Sequence, residues 1–256
     1  MSKIFFRICK LGLALLLAAV AAPAFAKFYS YSTLQNATDS NGDPVWAKVT
    51  FDVSADSMVV TLINLQPNIT SVGQNISSLW FTVNSGSSIL SLSSASVTLS
   101  GNLVSIDQSG EATPAGTLDN VPLGTTGTTI EHWSAGQGST QFYFNDLNGG
   151  SQGGTVDQTI IGPPNSSGIY SSVNSSIYGG NGNSATHNPF IQNQATFTVN
   201  APGLLAGANV SNVQIGFGTT TGNNLRTVPE PGSLALFAIG ALAFAFRSKS
   251  EGRNFA

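Results

Sequence analysis

The sequence predicts an all-β protein whose main part is a single antiparallel β-sandwich or jelly-roll-like domain. Apolar and polar residues alternate in many short runs, which is typical of half-buried strands. Glycine, asparagine and proline separate these runs, as they do in sandwiches and jelly rolls. Strong helix formers such as Glu and Lys are scarce in residues 27–227, and no helical period stands out there.

The clearest strand signal is the stretch 45–65. Apolar residues occupy every second position in 45–53, and 58–65 is apolar at most positions. Residues 54–57 connect the two runs, so they are predicted to pair as an antiparallel hairpin. Two glycine-rich stretches are predicted to be irregular. The other predicted strands are 28–33, 79–83, 97–99, 142–144, 195–199 and 213–217, and the irregular stretches are 105–129 and 147–188.

The first 26 residues have the three parts of a secretory signal peptide. Basic residues precede an apolar run at 11–22, and Ala24 and Ala26 form the small-x-small pattern after which signal peptidase cuts. The single cysteine of the chain, Cys9, lies in this segment. The exported part is therefore predicted to start at Lys27 and to fold without disulfides.

The C-terminal segment also has three parts. A short polar motif comes first, a charge-free apolar run at 234–246 follows, and basic residues end the chain. As a helix, residues 232–246 would reach only about 22 Å, whereas a bilayer core is about 30 Å thick. Basic residues after an apolar run favour a cytoplasmic end. The motif is Val228, Pro229, Glu230 and Pro231, and the basic residues are Arg247, Lys249 and Arg253.

This arrangement resembles the PEP-CTERM sorting signal of Gram-negative bacteria. The resemblance implies transient insertion into the inner membrane and cutting near Pro229, Glu230 and Pro231 by an exosortase-type membrane protease. It implies a final location at the cell surface or outside the cell, often where the exopolysaccharide of a biofilm matrix is made. The alternative is an ordinary C-terminal anchor after a proline-rich linker. The predicted parts are a signal peptide at 1–26, an exported domain at 27–218, a linker at 219–227 and the sorting signal at 228–256.

The charge of the exported part excludes one class of partner. Residues 27–227 carry three basic and ten acidic residues, a net charge of about −7. A nucleic-acid-binding domain needs a basic patch to meet the phosphates, and this stretch has none. Nucleic acid is therefore not a predicted partner.

Catalytic residues are sparse. The two histidines, His132 and His187, fit no common zinc spacing, and no G-x-S-x-G element is present. Glu131, His132 and Trp133 together would place an acid, a base and a stacking ring at one point, but a strand-edge cluster explains them as well. The predicted protein is not an enzyme and has a structural or adhesive role, with a carbohydrate-active enzyme as the alternative.

One polar stretch is a candidate calcium loop, and a calcium-stabilised adhesin is a further alternative. Asp39, Asn41 and Asp43 place oxygen ligands at positions 1, 3 and 5, as calcium loops do. However, Pro44 stands where such loops need glycine, and Thr50 stands where they need glutamate. Asn41 followed by glycine is also a favoured hairpin turn. No cofactor is therefore predicted, with calcium as the alternative.

Three tryptophans are candidates for contact with a glycan. Trp46, Trp80 and Trp133 carry flat rings that can stack on sugars if they stand on an exposed sheet face or loop. Trp46 and Trp80 fall on the faces opposite the main apolar rows of their strands. The alternative is that both faces of the sheet are covered.

Overall fold

The computed structural model describes residues 26–85, 88–89, 95–123, 133–138, 140–147, 156, 158–171, 176–178 and 187–230. These residues form β-strands and one 3₁₀ turn, Val72–Gln74, so the all-β prediction is confirmed. The strands are β1 Lys27–Thr33, β2 Ala47–Ser54, β3 Ser57–Asn64, β4 Ile76–Ser85, β5 Ser88–Ile89, β6 Ser96–Ile106, β7 Ala112–Pro122, β8 Ser134–Gln137, β9 Phe142–Asn145, β10 Ile160–Ile161, β11 Phe190–Gln192, β12 Gln194–Asn200, β13 Asn209–Phe217 and β14 Asn224–Pro229.

All of these strands belong to one continuous sheet. Their order is β10, β11, β6, β12, β3, β2, β1, β14, β13, β4, β9 and β8, while β5 pairs with β4 and β7 with β6. The pairings are antiparallel apart from the parallel pair of β10 and β11. Strand β10 also bridges to β4 through Ile160 and Ile76, so the sheet returns on itself. The division into two sheets that a sandwich or jelly roll would have stays a prediction.

The predicted hairpin is formed by β2 and β3, and their register follows from the alternation. Phe51 lies opposite Val60, and Val49 lies opposite Leu62, with all four side chains fully buried. The turn between the strands places Asp56 at a φ of 59°. The inward row of apolar residues thus faces the core, because a strand points successive side chains to opposite faces.

The core is held by aromatic rings from strands that are far apart in the sheet order. The rings of Phe51 on β2 and Phe81 on β4 have centroids 5.1 Å apart. Those of Phe144 on β9 and Phe197 on β12 are stacked with centroids 4.4 Å apart. Since β2 and β4 are separated in the sheet by β1, β14 and β13, the sheet must curve until its inner faces meet.

Two stretches differ from their predicted structure. Residues 105–129 were predicted to be irregular, but β6 and β7 pair from Thr98 opposite Pro122 to Ile106 opposite Ala112. Residues 219–227 were predicted to be a linker, but β14 begins at Asn224 and pairs with both β1 and β13. In both places a mainly polar sequence forms a strand because a neighbouring strand supplies the hydrogen bonds.

Candidate functional site

The first three residues of the predicted tail motif, Val228, Pro229 and Glu230, are part of the folded domain. Val228 and Pro229 are the last residues of β14, and Glu230 follows directly. Pro231, the apolar run and the basic residues Arg247, Lys249 and Arg253 lie outside the described residues. At the other end of the chain, Ala24 also lies outside them, whereas Ala26 is exposed just before β1.

The register of β14 holds the motif against β1. Thr227, Val228 and Pro229 lie opposite Thr33, Ser32 and Tyr31. The pairing with β13 stops at Arg226, so Pro229 stands where β14 has a partner strand on one side only. A proline, which has no N–H, is tolerated at such a position. Val228 and Pro229 are therefore extended, and they belong to a strand of the sheet and not to a free segment.

Among the described residues of the motif, Glu230 makes side-chain as well as backbone hydrogen bonds. Its backbone N–H donates to the Ser30 carbonyl oxygen at 2.9 Å. Its carboxylate oxygen Oε2 accepts from Ser30 Oγ at 2.7 Å and from Lys48 Nζ at 2.7 Å. Ser30 lies on β1 and Lys48 on β2, so the contact spans three adjacent strands. We call Ser30, Lys48 and Glu230 the carboxylate clamp.

The clamp lowers the pKa of Glu230. The Lys48 ammonium is the largest cause, the Ser30 hydroxyl comes next, and partial burial opposes them. A lowered pKa in the folded protein means that the clamp stabilises folding fully above the ordinary value of 4.5, and that this contribution is lost as pH falls through the lowered pKa. Since both side chains are about a third exposed, the ion pair itself contributes on the order of 1 kcal/mol or less.

We therefore expect Lys48→Met to raise the pKa of Glu230 towards its ordinary value, because the ammonium is the main cause of the lowering. An NMR titration of the Glu230 carboxyl carbon measures this pKa in the parent and in the variant. Lys27→Met is the matched control, since it removes a basic side chain at the other end of β1. Equal pKa values in the parent and Lys48→Met would contradict the clamp.

A groove of about 530 Å³ lies beside the motif strand. Val228 lines it together with Leu34 and Trp46, whose side chains are 56% and 51% exposed. The described residues that line it include no ionisable one, and the polar ones are Ser32, Thr33, Gln35, Asn36 and Gln66. A second, more polar groove of about 500 Å³ lies at Pro229 and is lined by Tyr31 and Arg226.

The three candidate tryptophans have different surroundings. Trp46 is exposed in the groove described above. Trp80 is half-buried and packs on Tyr143, with ring centroids 4.7 Å apart. Trp133 is only 1% exposed, and its indole Nε1 donates to the Gln158 carbonyl oxygen at 2.9 Å. The prediction of a glycan contact at Trp133 is therefore wrong, because the ring belongs to the core.

The candidate calcium residues form a tight turn. Asp39 Oδ1 accepts from the backbone N–H groups of Asn41 at 2.8 Å and Asp43 at 2.9 Å. Gly42 has a φ of 88°, which suits the favoured turn residue. The other carboxylate oxygen, Oδ2, is buried with no hydrogen-bond partner among the described residues, and the Gly73 backbone packs against it. The geometry matches the hairpin-turn alternative.

Replacing Asp39 with alanine is expected to lower the free energy of unfolding by about 1–3 kcal/mol, because two backbone N–H groups lose their acceptor. Asp39→Asn should lose less, since the amide oxygen replaces Oδ1 and no charge remains buried. Chemical denaturation measures both values. A melting temperature of the parent that rises with calcium and falls with a chelator would contradict the assignment as a turn.

Of the remaining candidate residues for catalysis or metal binding, the structure describes only His187. Glu131 and His132 lie outside the described residues, whereas His187 is half-buried and its Nδ1 contacts the Val156 carbonyl oxygen. Within the described ranges, no three His, Cys, Asp or Glu side chains come together as a metal site would need. Those ranges also hold no helix long and apolar enough to cross a bilayer.

Sequence reasoning missed Ser30 and Lys48, the partners of Glu230. The alternation in 45–53 does place Lys48 on the outer face of its strand. The role of Ser30 and Lys48 could not be found from the sequence, because residues 219–227 lack alternating apolar side chains. Strand β14, which brings Glu230 to these two residues, was therefore not predicted. The groove residues Leu34, Gln35 and Gln66 carry no sequence signal either.

Comparison with known proteins bears on the tail alone. Residues 227–250 match a protein family described as the PEP-CTERM protein-sorting motif, which confirms the resemblance seen in the sequence. Comparisons with curated proteins and with solved structures found no significant match. The matched range begins inside β14.

Proposed function

Since the chain carries the PEP-CTERM sorting motif, we propose that it is an exported protein which an exosortase-type membrane protease processes and which then has a structural or adhesive role. The proposed location is the cell surface or the extracellular matrix, in association with exopolysaccharide. Signal peptidase acts first, after Ala26. The observation that carries the proposal is that the motif ends the last strand of the folded domain, immediately before the apolar run.

The geometry supports membrane-associated processing. The sheet holds the chain up to Glu230, and the apolar run starts at Leu234. Four steps of fully extended chain reach at most about 14 Å. A helix that starts at Leu234 in the membrane therefore keeps the motif close to the bilayer surface, where a membrane protease can act on it. The domain itself remains outside.

We further propose that the exported domain is a β-sandwich of jelly-roll type. The support is the contact of rings from distant strands: Phe51 packs on Phe81 in a tilted arrangement, and Phe144 stacks on Phe197. Such packing gives a stable scaffold for a surface protein without disulfides or a cofactor. We propose no catalytic role for it.

The partner that the groove fits best is a neutral polysaccharide. Trp46 offers a flat, half-exposed ring that can stack on a sugar, and the neighbouring amides of Gln35, Asn36 and Gln66 can both donate and accept hydrogen bonds to hydroxyl groups. The absence of ionisable side chains from the groove lining favours an uncharged ligand. A role in a matrix of exopolysaccharide follows from such a surface.

Mass spectrometry of the surface, medium and inner-membrane fractions tests the processing. We expect surface and medium protein to begin at Lys27 and to lack residues 237–256, and we expect the inner membrane to hold the unprocessed chain. Surface protein that still carries residues 237–256 would show that the tail is an ordinary anchor. A chain that begins at Met1 in the medium would contradict the signal peptide.

Binding to purified exopolysaccharide tests the glycan role. Trp46→Ala should weaken binding about tenfold or more, which corresponds to about 1.4 kcal/mol. Phe28→Ala is the matched control, since it removes another exposed ring from the same sheet face outside the groove. Hydrolysis of the glycan that disappears in Glu131→Gln would instead favour the carbohydrate-active enzyme.

A further inference from the structure

The direction in which the chain leaves the sheet determines which end of the domain faces the membrane. Strand β14 runs antiparallel to β1, from Thr227 opposite Thr33 to Pro229 opposite Tyr31. At Glu230, which is held at Ser30, β14 is therefore directed towards the start of β1. Phe28 lies at that start, whereas Leu34 and the groove lie past the other end of the strand.

Two exposed apolar side chains stand at the end where the chain leaves. Phe28 is 65% exposed, and Leu205 is 55% exposed. Phe28 lies opposite Asp52 near the end of β2, and the turn that follows β2 places Asp56 at the same end. The segment of Leu205 is fixed there, because Asp56 N–H donates to the Leu204 carbonyl oxygen and Asp56 Oδ1 accepts from Gly203 N–H.

The connection between the sheet and the apolar run is short, so the end of the sheet that carries Phe28 lies close to the bilayer. Only three residues separate Glu230 from Leu234, the first residue of the apolar run. Their reach is at most about 14 Å, counted over four steps of extended chain. The apolar face of an interfacial amphipathic helix, which carries residues such as phenylalanine and leucine, lies about 5–10 Å deep in the boundary between headgroups and acyl chains. An exposed Phe28 and Leu205 beside the exit are thus within reach of that boundary.

We infer that the end of the sheet that carries Phe28 and Leu205 rests on the outer surface of the bilayer that holds the tail. This inference rests on the proposed insertion of the tail. The contact is apolar and not electrostatic, because Lys27 at this end is offset by Asp52 and Asp56. The groove with Trp46 points away from the membrane and stays open to a glycan.

Fluorescence quenching by lipids in phosphatidylcholine vesicles tests the orientation with the full chain. The single native cysteine is removed by Cys9→Ser, and one new cysteine is labelled with an environment-sensitive dye. The test positions are Phe28→Cys and Leu205→Cys. The matched control is Leu34→Cys, an equally exposed apolar position at the opposite end of β1. Ala241→Cys, in the apolar run, reports insertion of the tail.

Nitroxide lipids should quench the labels at positions 28 and 205 several-fold more than the label at position 34, and high salt should not abolish the difference. Equal quenching at positions 28 and 34, with position 241 quenched, would overturn the orientation but keep the inserted tail. An unquenched label at position 241 would overturn both the insertion and the orientation. Protection of position 28 that depends on protein concentration and not on lipid would overturn the inference in favour of a second copy.

Discussion

Phe51→Asp is expected to unfold the exported domain. The ring is fully buried, with centroids 6.0 Å from Tyr31 and 5.1 Å from Phe81. Loss of a buried phenylalanine alone costs about 3–5 kcal/mol, and an unpaired buried carboxylate adds a desolvation cost of several kcal/mol unless it takes up a proton. Since domains of this kind are stable by about 5–15 kcal/mol, little or no folded protein should remain at neutral pH.

Chemical denaturation followed by circular dichroism measures this effect on residues 27–230. Thr198→Asp is the matched control, because it places the same charge on the exposed face of β12, beside the stacked ring of Phe197. The control should unfold within about 1 kcal/mol of the parent. If Phe51→Asp melts like the control, the inner face of β2 has been assigned incorrectly.

Changing Pro229, Glu230 and Pro231 together to alanine is expected to abolish processing. Alanine favours helix more than any other residue and proline least, so the variant lets the predicted membrane helix extend backwards into the motif. The change also removes the carboxylate of the clamp, so residue 230 loses its side-chain contacts with Ser30 and Lys48 and keeps only its backbone hydrogen bond to Ser30. The protein should accumulate in the inner membrane with Ala256 still attached, which mass spectrometry of the membrane fraction detects.

Lys48→Met is the control that separates recognition of the motif from attachment of the strand. It removes the ion pair with Glu230 but leaves Pro229, Glu230 and Pro231 in place. Processing should continue in this variant, and it should become faster if release of Glu230 from the sheet precedes cutting. A block as complete as that of the triple alanine variant would mean that the folded clamp, rather than the motif sequence, is what the protease needs.

The parts of the fold that the sequence predicts are those where side-chain alternation decides the structure. The β2–β3 hairpin is one, because the buried row that includes Val49, Phe51 and Val53 would be lost by a register slip of one residue. The inward-facing Phe142 and Phe144 of β9 are another case. In both cases the side chains that the alternation predicts to face inward are the ones that are buried.

The parts that the sequence does not predict are those where a distant strand decides the structure. In β7 only Leu118 is buried, and the strand exists because β6 supplies a partner along its whole length. In β14 no side chain is fully buried, and the strand forms between β1 and β13. The clamp and the Trp46 groove depend on these long-range pairings. The sorting motif itself was predictable because its chemistry is contained in one contiguous segment.

Because β14 lies between β1 and β13, the position of the proteolytic cut also determines whether this strand stays in the sheet. A cut after Glu230 leaves every pairing of β14 intact, so β14 continues to fill the space between β1 and β13. A cut before Asn224 would remove the strand and expose unpaired edges on β1 and β13, which are templates for a strand from elsewhere. The segment 224–230 of a second molecule has the right sequence to fill that gap. The position of the cut thus decides whether the released molecule keeps β14 or has a gap between β1 and β13.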